Sequence, residues 1–266
     1  MFAAKVRSLG LTTDLRLIGW DGVVDGLDGG VVRASSPENP TFFFGNFLLF
    51  ADAPAPGDAH AWVAKFQAAF AFDPRVRHVC LRWDRTDGAH GAADELRALG
   101  FTIEESVVLV TSTPRPPPRR AGATLRRIES EREWAQVEAL QVATMVAEFG
   151  AHASSFARAQ MSRYRRFVAA GRGAWFGAFV GATLAADMGV FVGDDGLARF
   201  QAVETAVAFR RRGLCGTLAH FVAERALAEL GATRLVLVGL PDHTAEIYES
   251  VGFERVERLV AAFRAP

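Results

Sequence analysis

The chain has 266 residues, of which 50% are hydrophobic and 23% are charged, a composition that excludes a disordered protein. Its 30 basic and 30 acidic residues give a formal net charge of zero, so there is no global field for nucleic acid or an anionic membrane. The length allows either one large domain or two smaller ones.

Cysteine use and apolar patterning narrow the class further. Cys80 and Cys215 lie far apart without CxxC spacing, which predicts neither a disulfide framework nor a zinc site, and we expect no metal ion. The longest apolar stretch, 41–51, is too short to span a bilayer and predicts a strand. The N-terminal residues lack the apolar core and cleavage site of a secretory signal. We therefore expect a cytoplasmic protein with no membrane partner.

In the N-terminal half, the patterns predict a helix over 59–70, a strand over 79–81 and a helix with a Gly-Phe turn over 93–101, followed by another strand. A break in composition then follows at 112–122, STPRPPPRRAG, where three consecutive prolines disfavour a helix. This break predicts two domains, 1–113 and 123–266, joined by a linker over 114–122.

The linker contains three arginines, Arg115, Arg119 and Arg120. Two readings remain open for them: side chains on a solvated linker, which is the commoner state for so short a run, or a patch that binds anions.

Beyond the linker, periodicity predicts a short strand over 124–128 and amphipathic helices over 131–147 and 156–170. The apolar stripe of the first helix is interrupted only by Gln141. Three strands with glycine turns between them are predicted next as an antiparallel meander, over 174–180, 182–192 and 198–206.

The last part of the chain is predicted to contain a helix, a buried strand, a second helix and a strand pair, over 214–230, 233–238, 244–251 and 254–264. The order β-α-α-β-β-β-α-β-α-β-β predicts an α/β (α+β) class. Its sheet is mixed and mostly antiparallel, is flanked by helices, and lacks the regular repeat of a doubly wound fold.

The most informative segment is the turn Arg210-Arg211-Arg212-Gly213-Leu214-Cys215-Gly216, where a strand leads directly into a helix. The first-turn amides of a helix lack intrahelical partners and the helix dipole is positive there, so phosphate oxygens can bind. Neither GxxxxGK[ST] nor GxGxxG is present, which argues against a nucleotide hydrolase or a Rossmann enzyme. The alternative is an ordinary glycine turn with its arginines in solvent.

The pattern Arg210-x-x-Gly213-x-Cys215-Gly216 resembles the pyrophosphate loop of the GNAT superfamily of N-acetyltransferases, Q/R-x-x-G-x-G/A. It departs from that pattern at Cys215, where the family usually has Gly or Ala. The segment 241–253, PDHTAEIYESVGF, resembles the family's helical tyrosine followed by a Gly-Phe turn. The asparagine often found at the start of that segment is absent.

The resemblance covers about 124–266 and implies an acetyl-CoA-dependent transfer in which Tyr248 protonates the leaving thiolate. The alternative for Tyr248 is a packed side chain whose hydroxyl finds any partner. The resemblance implies a set of cofactor-binding residues at the strand end and the turn: Thr205, Ala206, Val207, Arg210, Arg211, Arg212, Gly213, Leu214, Cys215, Gly216 and Thr217.

A general base is needed if the amine arrives protonated. Glu204, at the strand end beside the turn, is the first candidate and Asp187, on the preceding strand, is the second. Each is otherwise a solvated strand carboxylate. His152, His220 and His243 are further candidates, although a histidine on a helix face is more often structural.

The N-terminal half repeats this ending, because 93–101, ADELRALGF, matches 245–253, AEIYESVGF. Leu96 stands where Tyr248 stands, and the equivalent of the turn contains prolines and Asp58, which remove amide donors and add negative charge. We therefore predict two GNAT-like domains, of which the degenerate first does not bind acetyl-CoA productively.

The predicted function is acetyl-CoA-dependent N-acetylation, by direct attack, of the amine of a small molecule or peptide. The alternatives are a noncatalytic coenzyme A-binding sensor or scaffold and an acyltransferase that uses a longer acyl chain. A homodimer is compatible with the sequence, and no nucleic-acid partner is expected.

Overall fold

The computed structural model describes residues 6–239 and 243–266. By their contacts, these residues form two compact units, the first with 6–108, 239 and 256–266 and the second with 109–238 and 243–255. The predicted ranges 1–113, 114–122 and 123–266 stay a prediction. The compact units differ from them chiefly because the last strand lies with the first unit.

The first unit is built from three helices and six strands. In chain order its elements are α1 (Leu9–Gly19), β1 (Val23–Leu27), β2 (Val31–Ser35), β3 (Phe47–Phe50), α2 (Asp58–Phe70), β4 (Val79–Trp83), α3 (Ala93–Ala98), β5 (Thr102–Thr111, which runs on into the second unit) and β11 (Glu254–Arg264, which begins there). The strand order in this unit is β1-β2-β3-β4-β11-β5. Strand β3 is parallel to β4, and β11 is antiparallel to β4 with Phe263 opposite Cys80.

The second unit has four helices and five further strands. In chain order these are β6 (Thr124–Arg127), α4 (Glu131–Phe149), α5 (Ala153–Ala169), β7 (Gly173–Val180), β8 (Thr183–Val192), β9 (Leu197–Thr205), α6 (Leu214–Glu229), β10 (Arg234–Gly239) and α7 (His243–Glu249). The order of these strands is β10-β9-β8-β7-β6. Strands β7, β8 and β9 form the predicted antiparallel meander, and β10 is parallel to β9.

One topology occurs twice along the chain, from β1 to β5 and again from β7 to β11. Each copy has an antiparallel meander of three strands, then a helix, then a strand parallel to the third meander strand, then a short helix and a final strand. The predicted fold class, with two GNAT-like copies of a mixed and mostly antiparallel sheet flanked by helices, is therefore confirmed.

Two predicted elements are wrong. The stretch 41–51 is not one strand, since only Phe47–Phe50 is extended and Phe43–Gly45 is a 3₁₀ turn. The side chain of Asn46 stabilises this turn by donating to the carbonyls of Asn39 and Phe42 and accepting from the amide of Ser36. The predicted strand pair over 254–264 is one continuous strand, β11, which contains no turn residue.

The meander of the second unit packs on an aromatic core that also positions the candidate site. Trp175 on β7 is fully buried and lies 5.5 Å from the ring of Tyr164 on α5. Helix α4 begins with a capping box, in which Ser130 accepts from the amide of Glu133 and the Glu133 carboxylate accepts from the amide of Ser130. This start sets the register of α4, so that Gln141 faces β8.

Candidate active site

The arginine-glycine turn has the predicted strand, turn and helix. Strand β9 ends at Thr205, and Gly213, with φ of 77°, is the N-cap residue of α6. A left-handed φ is one that glycine adopts without strain, so a side chain at Gly213 is unfavourable. Among the described residues no side chain caps this helix end, so the first-turn amides of α6 can donate to an anion, which the positive end of the helix dipole also favours.

The side chains around the turn have varied roles. Arg210 donates from Nε to the carbonyl oxygen of Thr205 at 3.0 Å, and the guanidinium of Arg212 lies 5.3 Å from the ring centre of Phe209. The amide of Ala206 already donates to the carbonyl of Ala185 at 2.9 Å. Within the predicted cofactor-binding set, that amide is therefore not available to a ligand.

The predicted linker packs against this turn rather than lying free in solvent. The amide of Ala121 donates to Oγ1 of Thr217 at 2.9 Å, and Pro117 is buried near Gly216. A Cβ added to Gly213 would lie 3.2 Å from the carbonyl oxygen of Arg119. The side chains of Arg115, Arg119 and Arg120 are exposed, so both readings of them remain open.

A gap opens in the sheet beside the turn. Strands β9 and β10 pair only from Leu197 opposite Arg234 to Arg199 opposite Val236 in the described residues. Beyond Arg199, β9 continues to Thr205 while paired with β8. In the described residues this stretch is therefore not paired with β10, although the carbonyls of Ala202 and Thr205 already accept from Gln141 and Arg210. A strand edge without a partner strand can hold an extended ligand arm.

Strand β9 is irregular at this gap, and Gln141 stabilises the irregular part by hydrogen bonds. The register of β8 and β9 shifts between Asp187 and Gly189, and Ala202 has φ of 48°. The buried Gln141 amide donates to the carbonyl of Ala202 and to Oδ1 of Asp187, both at 2.8 Å. Gln141 is a site residue that the sequence reasoning missed, although its interruption of an apolar stripe was the available signal.

The two candidate bases are opposite each other on neighbouring strands. Asp187 on β8 pairs in register with Glu204 on β9, which puts both side chains on one side of the sheet. Asp187 has no exposed surface, so the solvated alternative is wrong for it. Its pKa is raised to about 8, chiefly by burial and to a smaller extent by the charge of Glu204, while the hydrogen bonds from Gln141 and Trp175 lower it.

Glu204 is half-buried, and the face of α4 that carries Gln141 lies over it. Burial raises the pKa of its carboxyl above the usual range, while Arg210 and a hydrogen bond with Thr144 lower the pKa and the charge of Glu148 raises it. Gln141, Thr144 and Glu148 are three and seven residues apart on α4, which is the spacing of one helix face. Glu204 therefore has the exposure and environment of a proton acceptor.

Tyr248 lies close to the first turn of α6. Its side chain is 4% exposed, and its hydroxyl oxygen is 3.9 Å from the sulfur of Cys215. Burial raises the pKa of Tyr248 well above its usual range, and Cys215 and then Glu204 add to the effect. Burial likewise raises the pKa of Cys215, to about 11. The phenol is therefore protonated, as a proton donor must be.

In the part of the chain that the structure describes, neither His152 nor His220 contacts Glu204 or Tyr248. His220 is buried within α6 with Nδ1 3.4 Å from Oε2 of Glu224, one turn away. His152 precedes α5 as its N-cap residue. The side chain of His243 and the preceding Pro241-Asp242 segment, where the family asparagine is missing, lie outside the described side chains.

The corresponding turn of the first unit is filled by the chain's own carboxylates. Gly57, with φ of 91°, is the N-cap residue of α2 as Gly213 is of α6. Its amide donates to both carboxylate oxygens of Glu95 at 3.0 Å, and the amide of Ala55 donates to Asp58 at 2.8 Å. The amides of the N-cap residue and of the residue two positions before it are therefore bonded to negative charge in this turn.

Among the described residues, no group of three His, Cys, Asp or Glu side chains is placed to hold a metal ion. Likewise, none of the helices described has the length and apolarity needed to cross a bilayer.

This chain shares its fold with solved structures described as GNAT or GCN5-related N-acetyltransferases. The family model that matches it is described as FR47-like protein and matches residues 176–261, in the half that carries the site. A search of curated proteins found no match.

Solved structures share the fold at low identity. A GCN5-related N-acetyltransferase from Kribbella flavida is 15% identical with a TM-score of 0.68, covering 99% of this chain and 97% of its own. A functionally unknown conserved protein from Staphylococcus epidermidis is 12% identical with a TM-score of 0.70, covering 92% and 94%. A tandem GNAT protein from the clavulanic acid biosynthesis pathway is 18% identical with a TM-score of 0.54, covering 79% and 71%.

Proposed function

We propose that this protein is an acetyl-CoA-dependent N-acetyltransferase that acylates the amine of a small molecule or peptide. The observation that carries the proposal is the junction of three features in the second unit. Strand β9 separates from β10 after Arg199, the uncapped N-terminus of α6 lies at its end, and Tyr248 contacts Cys215 in the first turn of that helix.

The residues present fit an acetyl-CoA molecule. The first-turn amides of α6 at Leu214, Cys215 and Gly216 would hold the pyrophosphate, with Arg211 and Arg212 as neighbouring cations. The unpaired edge of β9 near Glu204 to Val207 would hold the pantetheine arm, apart from the amide of Ala206. When bound, the cosubstrate supplies an acetyl group activated as a thioester.

The chain's own residues supply the proton transfers. Glu204 accepts a proton from the acceptor ammonium, directly or through water, which frees the nitrogen lone pair. Tyr248 donates its phenol proton to the sulfur that leaves. The raised pKa of each group suits its task, because Glu204 becomes a stronger base and Tyr248 stays protonated until the sulfur needs a proton.

Calorimetric titration with acetyl-CoA tests the cofactor site. Gly213→Asp places negative charge at the turn, and Gly231→Asp is the matched control, because Gly231 has a similar φ of 74° at the other end of α6 with nothing within 4 Å of an added Cβ. We expect binding to be lost in the first variant and kept in the second. Gly213→Asn, which adds bulk without charge, separates the two effects.

An amine screen then separates the enzyme from the alternatives. Acetyl transfer to an amine supports the proposal, while binding of acetyl-CoA without transfer to any amine favours a sensor or scaffold. Faster transfer from a longer acyl-CoA identifies a different acyl donor. Equal binding by the unmodified protein and Gly213→Asp would overturn the assignment of the turn.

A further inference from the structure

Asp187 has an unusual environment for a carboxyl group. Its Oδ1 accepts hydrogen bonds from Nε2 of Gln141 and Nε1 of Trp175, at 2.8 and 2.9 Å. Its Oδ2 is buried and has no hydrogen-bond partner among the described residues. A buried carboxylate oxygen without a donor is unfavourable, and protonation of that oxygen removes the charge. Oδ2 is therefore the atom of Asp187 that holds a proton.

The partner of Asp187 across the strands is another carboxyl group. Glu204 lies opposite it in the β8–β9 ladder, a register that makes the two side chains neighbours on one face of the sheet. Two neighbouring carboxyl groups do not ionise independently, because the first negative charge disfavours the second. The charge of Glu204 does raise the pKa of Asp187, after the larger effect of burial.

The groups around the pair favour different protonation states in its two members. Gln141 from α4 and Trp175 from β7 are the neutral donors to Asp187. Glu204 has Arg210 and Thr144 to favour its charge, with Glu148 against it, and its charge in turn acts on Cys215 and Tyr248. The negative charge of the pair is therefore favoured on Glu204, beside the turn, and the proton on Asp187.

We propose that Asp187 and Glu204 form a carboxyl pair that holds one proton, in which Asp187 is a positioning residue that acts through Glu204 on an acceptor arriving as an alkylammonium ion. The existence of the pair rests on the contacts above, whereas its role with an acceptor rests on the proposed function.

The proton balance defines the class of acceptor. Without acceptor the pair holds one proton and one negative charge, which attracts an ammonium ion. The ammonium nitrogen loses one proton to Glu204, so the pair becomes neutral with two protons, and the freed lone pair forms the new N–C bond as the C–S bond breaks and the sulfur takes the proton of Tyr248. The nitrogen then loses its second proton, which restores the phenol of Tyr248 through water. The extra proton on the pair leaves to solvent after product release. The acceptor is then an aliphatic amine, which is protonated at neutral pH, rather than an arylamine or an alcohol.

Infrared difference spectroscopy across a pH titration tests the pair without any enzyme assay. We expect the unmodified protein to show the carbonyl stretch of a protonated carboxyl at neutral pH, and Asp187→Asn to lose it. In Glu204→Gln the same band should titrate at lower pH, because the charge that raises the pKa of Asp187 is gone. Glu104→Gln is the control, since burial also raises the pKa of that carboxyl in the first unit. The Asp187 band should survive it unchanged.

A second measurement uses the pH dependence of kcat/KM. Asp187→Asn is neutral at every pH, as Asp187 itself is below about pH 8, so the acid limb, where Glu204 takes up a proton, should stay in place. The amide oxygen can still accept from Gln141 and Trp175, so kcat should be largely kept, with KM for acetyl-CoA unchanged. Asp187→Leu cannot accept these hydrogen bonds, so the position of the pair should be lost and kcat should fall about tenfold.

The two measurements separate the pair from the proposed function. If the infrared band behaves as expected but the protein acetylates no amine, the carboxyl pair is supported and the proposed N-acetyltransferase function is overturned. The pair is overturned if the unmodified protein has no such band at neutral pH or if Asp187→Asn keeps it. Acetyl transfer with the same kcat in Asp187→Leu and the unmodified protein overturns the positioning role.

Discussion

The thiol of Cys215 donates a hydrogen bond to the phenol oxygen of Tyr248 across 3.9 Å, from the first turn of α6 to α7. The contact holds the phenol beside the first turn of α6, where the proposed cosubstrate would bind. The contact also explains how a cysteine fits where the family usually has Gly or Ala. The thiol is small and its pKa is raised by burial, so it adds no charge beside the turn.

Tyr248→Phe should reduce kcat about 100-fold, within the range for loss of a general acid, because no other phenol replaces the proton donor. Binding of acetyl-CoA should be unchanged, since the ring remains packed against Phe253, 6.1 Å away between ring centres. Steady-state kinetics and calorimetry measure the two effects. Cys215→Ala is the control that removes the contact and keeps the phenol, and its kcat should change far less. Full activity in Tyr248→Phe would assign the acid to another group.

Gln141→Leu should destabilise the protein by about 1–3 kcal/mol, because the carbonyl of Ala202 and Oδ1 of Asp187 both lose a buried donor. Urea unfolding measures the loss. Gln136→Leu is the matched control on the same helix, where Oε1 accepts only the part-buried amide of Leu184, so its effect should be smaller. Equal losses in the two variants would mean that the hydrogen bonds of Gln141 to the irregular part of β9 and to Asp187 contribute little to the free energy of unfolding.

Much of the fold follows from local pattern. The meander and the helices α4, α5 and α6 lie within a few residues of their predicted bounds, because periodic burial and glycine turns specify them locally. The 3₁₀ turn at Phe43–Gly45 was missed because it depends on the hydrogen bonds of Asn46, in particular that from the distant Ser36 amide. The place of β11 beside β4 was missed because pairing with a strand so distant in sequence leaves no local signal.

The sequence indicated individual candidate residues of the site, but not which of them lie next to one another in the fold. Glu204 and Asp187 were separate candidates from the sequence, and their pairing depends on the β8–β9 register, which shifts between Asp187 and Gly189. Single-residue shifts of this kind have no sequence period. The roles of the individual residues remain predictions that the experiments above address.

The free energy of unfolding should fall as the pH rises from about 4 to about 8, because of Asp187. Its pKa is about 8 in the folded protein against an ordinary value of 3.8, so between these values the folded state binds a proton that the unfolded state has lost. Stability is therefore greatest below the lower value and is lost as the pH approaches the higher, by on the order of 5 kcal/mol at most. The raised pKa of Glu204 acts in the same direction.

Urea unfolding of the unmodified protein and Asp187→Asn at a series of pH values measures this contribution. The variant should lack most of the decline, so its stability relative to the unmodified protein should improve as the pH rises. Parallel curves for the two proteins would show that Asp187 ionises in the folded protein as it does in the unfolded chain.

Acetyl-CoA should bind with a stoichiometry of one per chain, at the second unit. In the first unit the amides of Gly57 and Ala55 already donate to Glu95 and Asp58, and Pro54 and Pro56 have no N–H. A phosphate there would have to displace two carboxylates and would meet their negative charge. Calorimetry gives the stoichiometry directly, and Gly213→Asp should abolish all of the heat.

The double variant Asp58→Asn with Glu95→Gln tests why the first unit should not bind acetyl-CoA. It removes both negative charges, but Pro54 and Pro56 still have no N–H to donate to a phosphate, so we expect the stoichiometry to stay at one. The loss of stability should be small, because these hydrogen bonds are exposed. A second binding event in this variant would show that the carboxylates alone block the first copy. A stoichiometry of two in the unmodified protein would contradict the assignment of the first copy as degenerate.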